Sequence, residues 1–361
     1  MLVHGRRRVA RLAILVAAGV ALSTQAQAAE TITLTSISGY PPAASWVKAF
    51  REAFMPSVDA TLARTGKYKI AWNEGFSGNI VKPRGELEGI QSGIGDMGLI
   101  PTLFHADKLP FHKLTFVTPF TSNDLGVVIA AMNDLEKDVP AIAKTWDAVN
   151  QVNLVLTGAV SNYLIWSKAP IKSIGDMKGM KIGAGGANIP WVSVLGATGV
   201  STNLADAYNS LNTGIYEAVI LTEDTGKSFK ICEPAPYIFD GGMGAAQTHN
   251  VSVNKAVWAK LPAEVKQALT EAAQVHRATA TRDVVAGSAE GVAWCKANHK
   301  TEVFKPTAEE KTKWVTVMNN DAKAWAAELE RAGLPGNAVL TAYMNRLRAA
   351  NQPIARHWDR D

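Results

Sequence analysis

Residues 161–186 read SNYLIWSKAPIKSIGDMKGMKIGAGG, and the organisation of the chain is decided here. An aromatic bend opens the segment, directly after a strand-like run at 153–158. A tight turn at Met177-Lys178-Gly179 then precedes a short strand at 180–182. The glycines that follow, Gly183, Gly185 and Gly186, would let backbone N–H groups approach a ligand next to a helix N-terminus, which favours an anion. Their spacing is not GxGxxG, so a dinucleotide site is not indicated.

The residues after this loop continue the alternation of elements. An amphipathic stretch at 187–200 is predicted to be helical, and LADAYNSLNTGIYEAVILTED at 204–224 predicts a helix and a strand at 218–221. Thr222 and Glu223 follow that strand and form the loop at its end.

The N-terminal part predicts a parallel sheet. Strands are expected at 30–36, 69–72 and 97–100, with helices between them at 44–62 and 86–92. This order gives right-handed crossovers, and ligands of such sheets lie beyond the C-terminal ends of the strands. This location beyond the strand ends selects Tyr40, Phe76 and Thr102 as candidate ligand-binding residues.

A long helix is expected after Pro262, which suits a first turn, and its pattern continues to about His299. At about 1.5 Å per residue, such a helix is long enough to run from one lobe to another. A Gly- and Ala-rich segment at 241–247 is expected to cross between lobes, and 250–254 to return as a strand. The end of the chain predicts two or three amphipathic helices, broken at 333–336.

Four segments together resemble the DctP family, the periplasmic substrate-binding proteins of TRAP transporters. They are, in chain order, ELEGIQSGIGDMGLIP (86–101), PIKSIGDMKGMKIG (170–183), LADAYNSLNTGIYEAV (204–219) and SVNKAVWAKLPAEVKQAL (252–269). Each segment alone is a weak match, but their order and spacing agree with the family over nearly the whole chain after residue 30.

The resemblance implies an α/β, two-lobed periplasmic-binding-protein fold with a ligand cleft between the lobes and a long interlobe helix. The expected organisation is a signal peptide at 1–28, lobe I at 29–158 with 249–287, and lobe II at 159–248 with 288–361. The implied function is capture of a small organic acid and its delivery to TRAP membrane subunits. The missing arginines and the aromatic side chains described below predict an acid that is aromatic or otherwise bulky and has one carboxylate. Two alternatives stay open: an exported hydrolase-like enzyme on a two-lobed scaffold, and an orphan receptor that feeds a sensor kinase.

The sequence departs from the family at the residues expected to grip a carboxylate. The family usually has an arginine directly after the motif that corresponds to 178–182, and often another upstream. Here these positions are Gly183 and, counted without gaps, Tyr163. Lys82, Arg84 and Lys168 are the nearby cations that could replace them, although each is more often a solvated surface charge.

Eleven residues are candidates for ligand binding. Aromatic and polar side chains at strand ends supply most of them: Tyr40, Phe76, Thr102, Tyr163, Trp166, Gly183, Asn188, Trp191, Thr222, Glu223 and His249. Core packing is the competing interpretation for the aromatic rings, and helix capping is the competing one for Asn188. Trp46, like the other tryptophans on periodic elements, is assigned to the core.

Composition excludes several classes of function. The chain has 361 residues, is 47% hydrophobic and has a formal net charge of +5, but four arginines in residues 1–28 leave only +1 for the rest. The charge distribution therefore does not indicate a nucleic-acid-binding protein. No HExxH, CxxC, calcium loop, GxSxG elbow or P-loop occurs, so we expect no metal, no cofactor and no catalysis.

Two cysteines, Cys232 and Cys295, are the only ones in the chain. In an oxidising compartment they either form one disulfide or remain two buried thiols, and the sequence does not decide between these states.

Export is predicted from the N-terminus. Arginines precede an apolar run at 12–22, which is too short for a membrane-spanning helix of ~20 residues, and Ala26-Gln27-Ala28 is a small-x-small cleavage site. The arginine cluster also leaves a twin-arginine signal open. We expect a protein of the periplasm that is not itself membrane-embedded and begins at Ala29 or Glu30. Intact-mass analysis of the exported protein checks this, and retention of residues 1–28 would contradict it.

Overall fold

The computed structural model describes residue 1 and residues 28–360, so the predicted signal peptide lies almost entirely outside the described residues. The strands are β1 (Glu30–Ile37), β2 (Tyr68–Gly75), β3 (Met97–Ile100), β4 (Gln151–Thr157), β5 (Tyr163–Ser167), β6 (Lys181–Ala184), β7 (Thr198–Ser201), β8 (Ala218–Thr222), β9 (Tyr237–Phe239), β10 (His249–Asn254) and β11 (Glu302–Phe304).

The helices follow the same chain order. They are α1 (Ser45–Ala49), α2 (Met55–Ala63), α3 (Glu86–Gln91), α4 (Leu114–Val117), α5 (Leu125–Asp138), α6 (Pro140–Ala148), α7 (Ile189–Ser193), α8 (Leu204–Thr213), α9 (Thr225–Ser228), α10 (Lys255–Lys260), α11 (Ala263–His299), α12 (Ala308–Val317), α13 (Asp321–Arg331) and α14 (Gly336–Ala349).

The first sheet has the order β2-β1-β3-β10-β4. Strands β1, β2 and β3 are parallel, as the sequence predicts. Strand β10 arrives much later in the chain and pairs antiparallel to both β3 and β4. The sheet is therefore mixed, and β10 brings a distant part of the chain to its centre.

The second sheet has the order β11-β9-β5-β8-β6-β7. The amphipathic stretch at 187–200 is not one helix. It divides into the short helix α7 and the edge strand β7, because Gly196, at φ +85°, turns the chain between them. A turn in the left-handed region favours glycine and ends the helix.

The chain crosses between the sheets at 158–162 and returns at 240–248. The return crossing includes the segment 241–247, for which the sequence predicts a crossing. The two crossing segments meet at an antiparallel bridge between Val160 and Ala246. The two crossing segments therefore run side by side, and their pairing holds the adjoining ends of the two sheets together.

Helix α11 also connects the two halves. Its 37 residues give a length of about 55 Å. It packs against α1, α2 and β4 near one end and against α9 near the other. At Gly291 the helix comes so close to the loop after β8 that a Cβ atom would lie 2.5 Å from the Glu223 carbonyl oxygen. The long interlobe helix of the sequence prediction is confirmed.

A π-helical turn at Phe50–Phe54 separates α1 from α2. The rings of Phe50 and Phe54 stack at 4.5 Å, and both meet the buried His276 of α11 edge-on. The predicted helix at 44–62 is thus present, but its two parts differ in rotational phase. Such turns are frequent at functional sites.

The C-terminal helices lie against residues 110–138. The Trp325 indole donates to the Pro110 carbonyl at 2.9 Å, and Arg346 pairs with Asp138 at 2.5 Å. The Trp358 indole likewise donates to the Pro119 carbonyl at 2.8 Å. These contacts tie 321–358 to a segment predicted for lobe I, although the sequence assigned this end of the chain to lobe II. The lobe boundaries themselves stay a prediction.

Of the two states open to the cysteines, the structure has the disulfide. Cys232 and Cys295 are bonded, with their Cα atoms 5.9 Å apart, and both are fully buried. The bond joins the segment after α9 to the last turns of α11. It therefore attaches the long helix to the second sheet.

Removing the disulfide is expected to destabilise the fold. A bond between residues 63 apart in sequence restricts the unfolded chain, and loss of such bonds typically costs about 2–4 kcal/mol. We expect the double variant Cys232→Ala with Cys295→Ala to lose that amount in urea denaturation. Wild-type protein denatured under reducing conditions is the control and should lose a similar amount. Equal stability of variant and oxidised wild type would contradict the prediction.

Candidate functional site

A cavity with a volume of about 80 Å³ lies between the two sheets. From the first sheet it is lined by residues that follow β1 and β3, among them Tyr40, Trp46, Leu103 and Phe104. These positions lie beyond the C-terminal ends of the strands, where parallel sheets bind their ligands.

The opposite wall belongs to the second sheet. It is lined by Tyr163 at the start of β5, Asn188 in the Gly-rich loop, residues 202–204 after β7 and residues 220–222 at the end of β8. The crossing segments complete the lining with Ala159, Val160, Thr248 and His249. Both sheets and both crossings therefore contribute to one site.

None of the described residues that line the cavity carries a formal charge. Its polar groups are hydroxyls, amides and one imidazole, and its walls are otherwise apolar or aromatic. Burial raises the pKa of both Tyr40 and Tyr163 well above the usual range, so both phenols remain protonated donors. No described residue forms a hydrogen bond with either hydroxyl, which leaves both free to bind a ligand.

Trp46 and His249 form a stacked pair on one side of the cavity. Their ring centroids are 4.1 Å apart at an interplanar angle of 27°, and the Tyr40 ring meets Trp46 edge-on. The Trp46 indole nitrogen is buried and has no hydrogen-bond partner among the described residues. Burial lowers the pKa of His249 to about 3, so this ring is neutral at physiological pH.

Asn188 closes the Gly-rich loop and does not cap α7 through its side chain. Its Oδ1 accepts a hydrogen bond from the Gly185 N–H at 2.9 Å. That N–H is therefore occupied, and Gly183 is paired within the sheet between β7 and β8. The loop positions Asn188, whose amide nitrogen has no partner among the described residues and is left as a donor.

Trp191 supports Tyr163 from behind. The two rings meet edge-on at 5.4 Å, and the Trp191 indole donates to the Phe116 carbonyl at 2.9 Å. The Trp191 carbonyl in turn accepts from Trp314 at 2.6 Å. Trp191 thus fixes the orientation of a cavity residue without lining the cavity.

Arg84 joins the two sides at the cavity edge. Its guanidinium lies 4.4 Å from the centre of the Phe104 ring, and Nη2 donates to the Thr202 carbonyl at 2.7 Å and to the Ser201 hydroxyl at 3.3 Å. Its backbone has φ +77°, a conformation uncommon for a residue with a side chain. Arg84 therefore acts as a polar bridge between the two walls and is not part of the lining.

The structure brings five of the eleven predicted residues together in the lining: Tyr40, Tyr163, Asn188, Thr222 and His249. Trp191 lies behind this lining, and the other five lie elsewhere. Trp166 is three residues beyond Tyr163 on β5, and side chains alternate along a strand, so its ring faces the opposite side, against Gly226 and the disulfide.

Phe76, Thr102 and Glu223 each satisfy other contacts. The Phe76 ring meets Phe50 edge-on in the core. The Thr102 side chain is fully buried against Gln247, and the Glu223 carboxylate accepts from the Ser161 hydroxyl at 3.0 Å on the side facing α11.

Gly183 has no room for a side chain. A Cβ atom there would lie 2.8 Å from two atoms of the Tyr216 ring. The Tyr216 hydroxyl reaches the Thr202 hydroxyl at 3.2 Å, so this ring fills the space beside the cavity wall. An arginine at position 183 is incompatible with this packing.

Several lining residues were missed by the sequence analysis. Trp46 was assigned to the core because of its helical spacing, and Leu103 and Phe104 were passed over for Thr102. Residues 202–204 were missed because β7 was not recognised. The strand-end rule, applied to the first helical turn after β1 and to the four residues after β3, would have found Trp46, Leu103 and Phe104.

Among residues 28–360, no group of three or more His, Cys, Asp or Glu side chains is arranged to hold a metal ion. Within the same part of the chain, no helix combines the length and the apolar character needed to cross a membrane.

A family model matches most of the chain. Residues 46–329 match the model DctP, described as bacterial extracellular solute-binding protein, family 7.

Solved structures share the fold at low sequence identity. A TRAP solute-binding protein from Rhodoferax ferrireducens, in complex with copurified benzoate, has a TM-score of 0.77 and 19% identity, covering 89% of this chain and 98% of its own. A TRAP solute-binding protein from Bordetella bronchiseptica with bound mandelate has a TM-score of 0.75 and 19% identity, covering 88% of this chain and 99% of its own. A Bordetella pertussis extracytoplasmic solute receptor that binds pyroglutamic acid has a TM-score of 0.71 and 23% identity, covering 87% of this chain and 100% of its own.

Even the smallest side chain at position 183 should destabilise the protein. Because a Cβ atom would clash with Tyr216, we expect Gly183→Ala to lower the free energy of unfolding by about 1–3 kcal/mol, as overpacking typically does. Gly287→Ala is the matched control, since its Cβ would meet only the Asp224 side chain at an ordinary 3.5 Å. Urea denaturation measures both. A Gly183→Ala protein as stable as wild type would show that Tyr216 does not exclude side chains there.

Proposed function

The chain belongs to the DctP family, family 7 of the bacterial extracellular solute-binding proteins, and from this premise we propose that it is the periplasmic receptor of a TRAP-type transporter. Its proposed ligand is a small organic acid with one carboxylate and a flat, bulky body, such as an aromatic acid. The receptor closes around this ligand by hinge motion and delivers it to the membrane subunits.

The character of the cavity lining carries the proposal for the ligand. The rings of Tyr40, Trp46, Phe104 and Tyr163 line the cavity, and its described lining residues have no formal charge. Each buried carboxylate of a dicarboxylate would need its own charged or multiply hydrogen-bonded partner. Flat apolar walls with a few neutral donors are instead suited to a ring that carries a single carboxylate.

Two of the similar structures have ligands of this class. Benzoate and mandelate, named for two of them, each combine an aromatic ring with one carboxylate. At 19% identity these proteins share the fold only, so their ligands serve here as probes.

A hydrolase-like enzyme, the alternative function, would need a nucleophile that is activated by a general base. Thr248 and His249 are the one hydroxyl–imidazole pair in contact among the described lining residues. Burial lowers the pKa of His249 to about 3, which makes its ring a weak base, and no described carboxylate orients it. Recovery of an unchanged ligand after equilibrium dialysis tests the receptor against the enzyme. Neighbouring genes for integral membrane proteins would distinguish transport from supply to a sensor kinase.

We expect benzoate or mandelate to bind and to quench tryptophan fluorescence, because Trp46 lines the cavity. Trp46→Ala should raise the Kd at least tenfold, equivalent to ~1.4 kcal/mol. Tyr163→Ala should do the same, because it removes both a ring and a hydroxyl. Trp294→Phe is the control, because Trp294 lies on α11 and is not among the described residues that line the cavity. This variant should bind as wild type does. Succinate and malate complete the panel in isothermal titration calorimetry. Tight binding of either dicarboxylate with no response to the aromatic acids would overturn the proposed ligand class.

A further inference from the structure

Thr248 and His249 lie side by side where the returning chain enters β10. The Thr248 hydroxyl oxygen accepts a hydrogen bond from the Ala159 N–H at 3.0 Å. The same oxygen lies 2.7 Å from Nδ1 of His249. This links the first crossing segment, through one hydroxyl, to the imidazole at the cavity.

The direction of the second hydrogen bond follows from counting protons. The Thr248 oxygen receives a proton from Ala159, and its own hydroxyl proton needs an acceptor. Among the described residues, Nδ1 of His249 is the only acceptor in contact with that hydroxyl. Thr248 therefore donates to Nδ1. A neutral imidazole whose Nδ1 accepts carries its single proton on Nε2.

The surroundings of the ring fix its orientation and its charge. Trp46 covers one face at 4.1 Å, and the His249 side chain is almost wholly buried. Burial is the main reason that its pKa is low, and His276 of α11 adds a smaller contribution in the same direction. His276 is itself buried, with a pKa lowered to about 4. No carboxylate of a described residue contributes to the environment of His249, so no described group favours its protonated form.

Nε2 is the ring nitrogen that remains for a ligand. No described residue forms a hydrogen bond with it, and His249 lines the cavity. We propose that Thr248 is a positioning residue that sets His249 as a neutral Nε2–H donor, and that this donor binds an oxygen of the ligand's carboxylate. The inference rests on the proposed function in one respect, that the ligand occupies this cavity. It assigns the acid group to a neutral donor in a site where both family arginines are absent.

The tautomer is tested directly on the ligand-free protein. Nitrogen-15 NMR of histidine-labelled protein at pH 7 should show, for His249, a protonated Nε2 and an unprotonated Nδ1. The signals are assigned by their loss in His249→Phe. A His249 that is protonated on Nδ1, or on both nitrogens, overturns the proposal whatever the protein binds.

Two variants of Thr248 test the positioning role. Thr248→Ser keeps the hydroxyl and should retain the tautomer and bind benzoate within about twofold of wild type. Thr248→Val keeps the shape but removes the hydroxyl, so His249 should become a mixture of tautomers and the Kd should rise several-fold, as loss of one hydrogen bond of ~1 kcal/mol gives. Thermal denaturation of both variants separates this effect from a loss of folding. Equal tautomer populations in the two variants would overturn the role of Thr248.

The contact with the ligand is tested by His249→Phe, which retains a ring to stack on Trp46 but has no N–H. We expect its Kd for benzoate to rise about tenfold or more, and the Nε2 signal of the wild type to move on titration with benzoate. Unchanged affinity in His249→Phe would overturn the contact. If neither benzoate nor mandelate binds the wild type, the proposed ligand class fails, while the NMR spectrum still decides the tautomer.

Discussion

The paired crossing of the chain between its two sheets is the constraint on which the rest of the structure depends. The first crossing carries Ala159 and Val160, and the second carries Ala246 and Thr248. The Ala246 N–H donates to the Val160 carbonyl at 3.2 Å, and the Ala159 N–H donates to the Thr248 hydroxyl. Asn162 extends this pairing, since it accepts from the Gly244 N–H at 3.3 Å and donates to Asp240 at 2.9 Å. The segments that connect the two sheets therefore also supply part of the cavity lining.

The absence of charge among the described residues that line the cavity follows from packing as much as from composition. At Gly183 the space for a side chain is taken by Tyr216, and at Tyr163 a phenol held by Trp191 faces the cavity. Arg84 is close to the lining, but its guanidinium is engaged by Phe104 and the Thr202 carbonyl. Neutral donors held by their neighbours remain, and a low-dielectric surrounding strengthens the hydrogen bonds that such donors make.

The sequence predicted the fold well because periodicity and turn residues are local signals. The strand at 97–100, the strand predicted at 218–221 and found at 218–222, and the end of the long helix at about His299 all follow from neighbouring residues. The family resemblance is confirmed over residues 46–329.

The candidate site was only partly predictable, because long-range packing decides which side chains point into the cavity. Tyr163 and Trp166 lie on one strand and are equally aromatic, yet only the register of β5 against β8 decides which of them faces the cavity. Trp46 shows the reverse case, since its helical spacing indicated the core although it stacks on His249, more than 200 residues away. No pattern in a single sequence reports that contact.

The π-helical turn at Phe50–Phe54 gives the cavity a dependence on chain length. In an α-helix each residue rotates the next by about 100°, and a π-helical turn accommodates one additional residue. A relative that lacks this residue, with α2 held in place by the core, would turn a different side chain of α1 toward His249. Evolution could therefore exchange the ring that covers the imidazole by a single-residue deletion, with every lining codon unchanged. A gapless alignment through this helix would compare residues that do not occupy the same place in the two proteins.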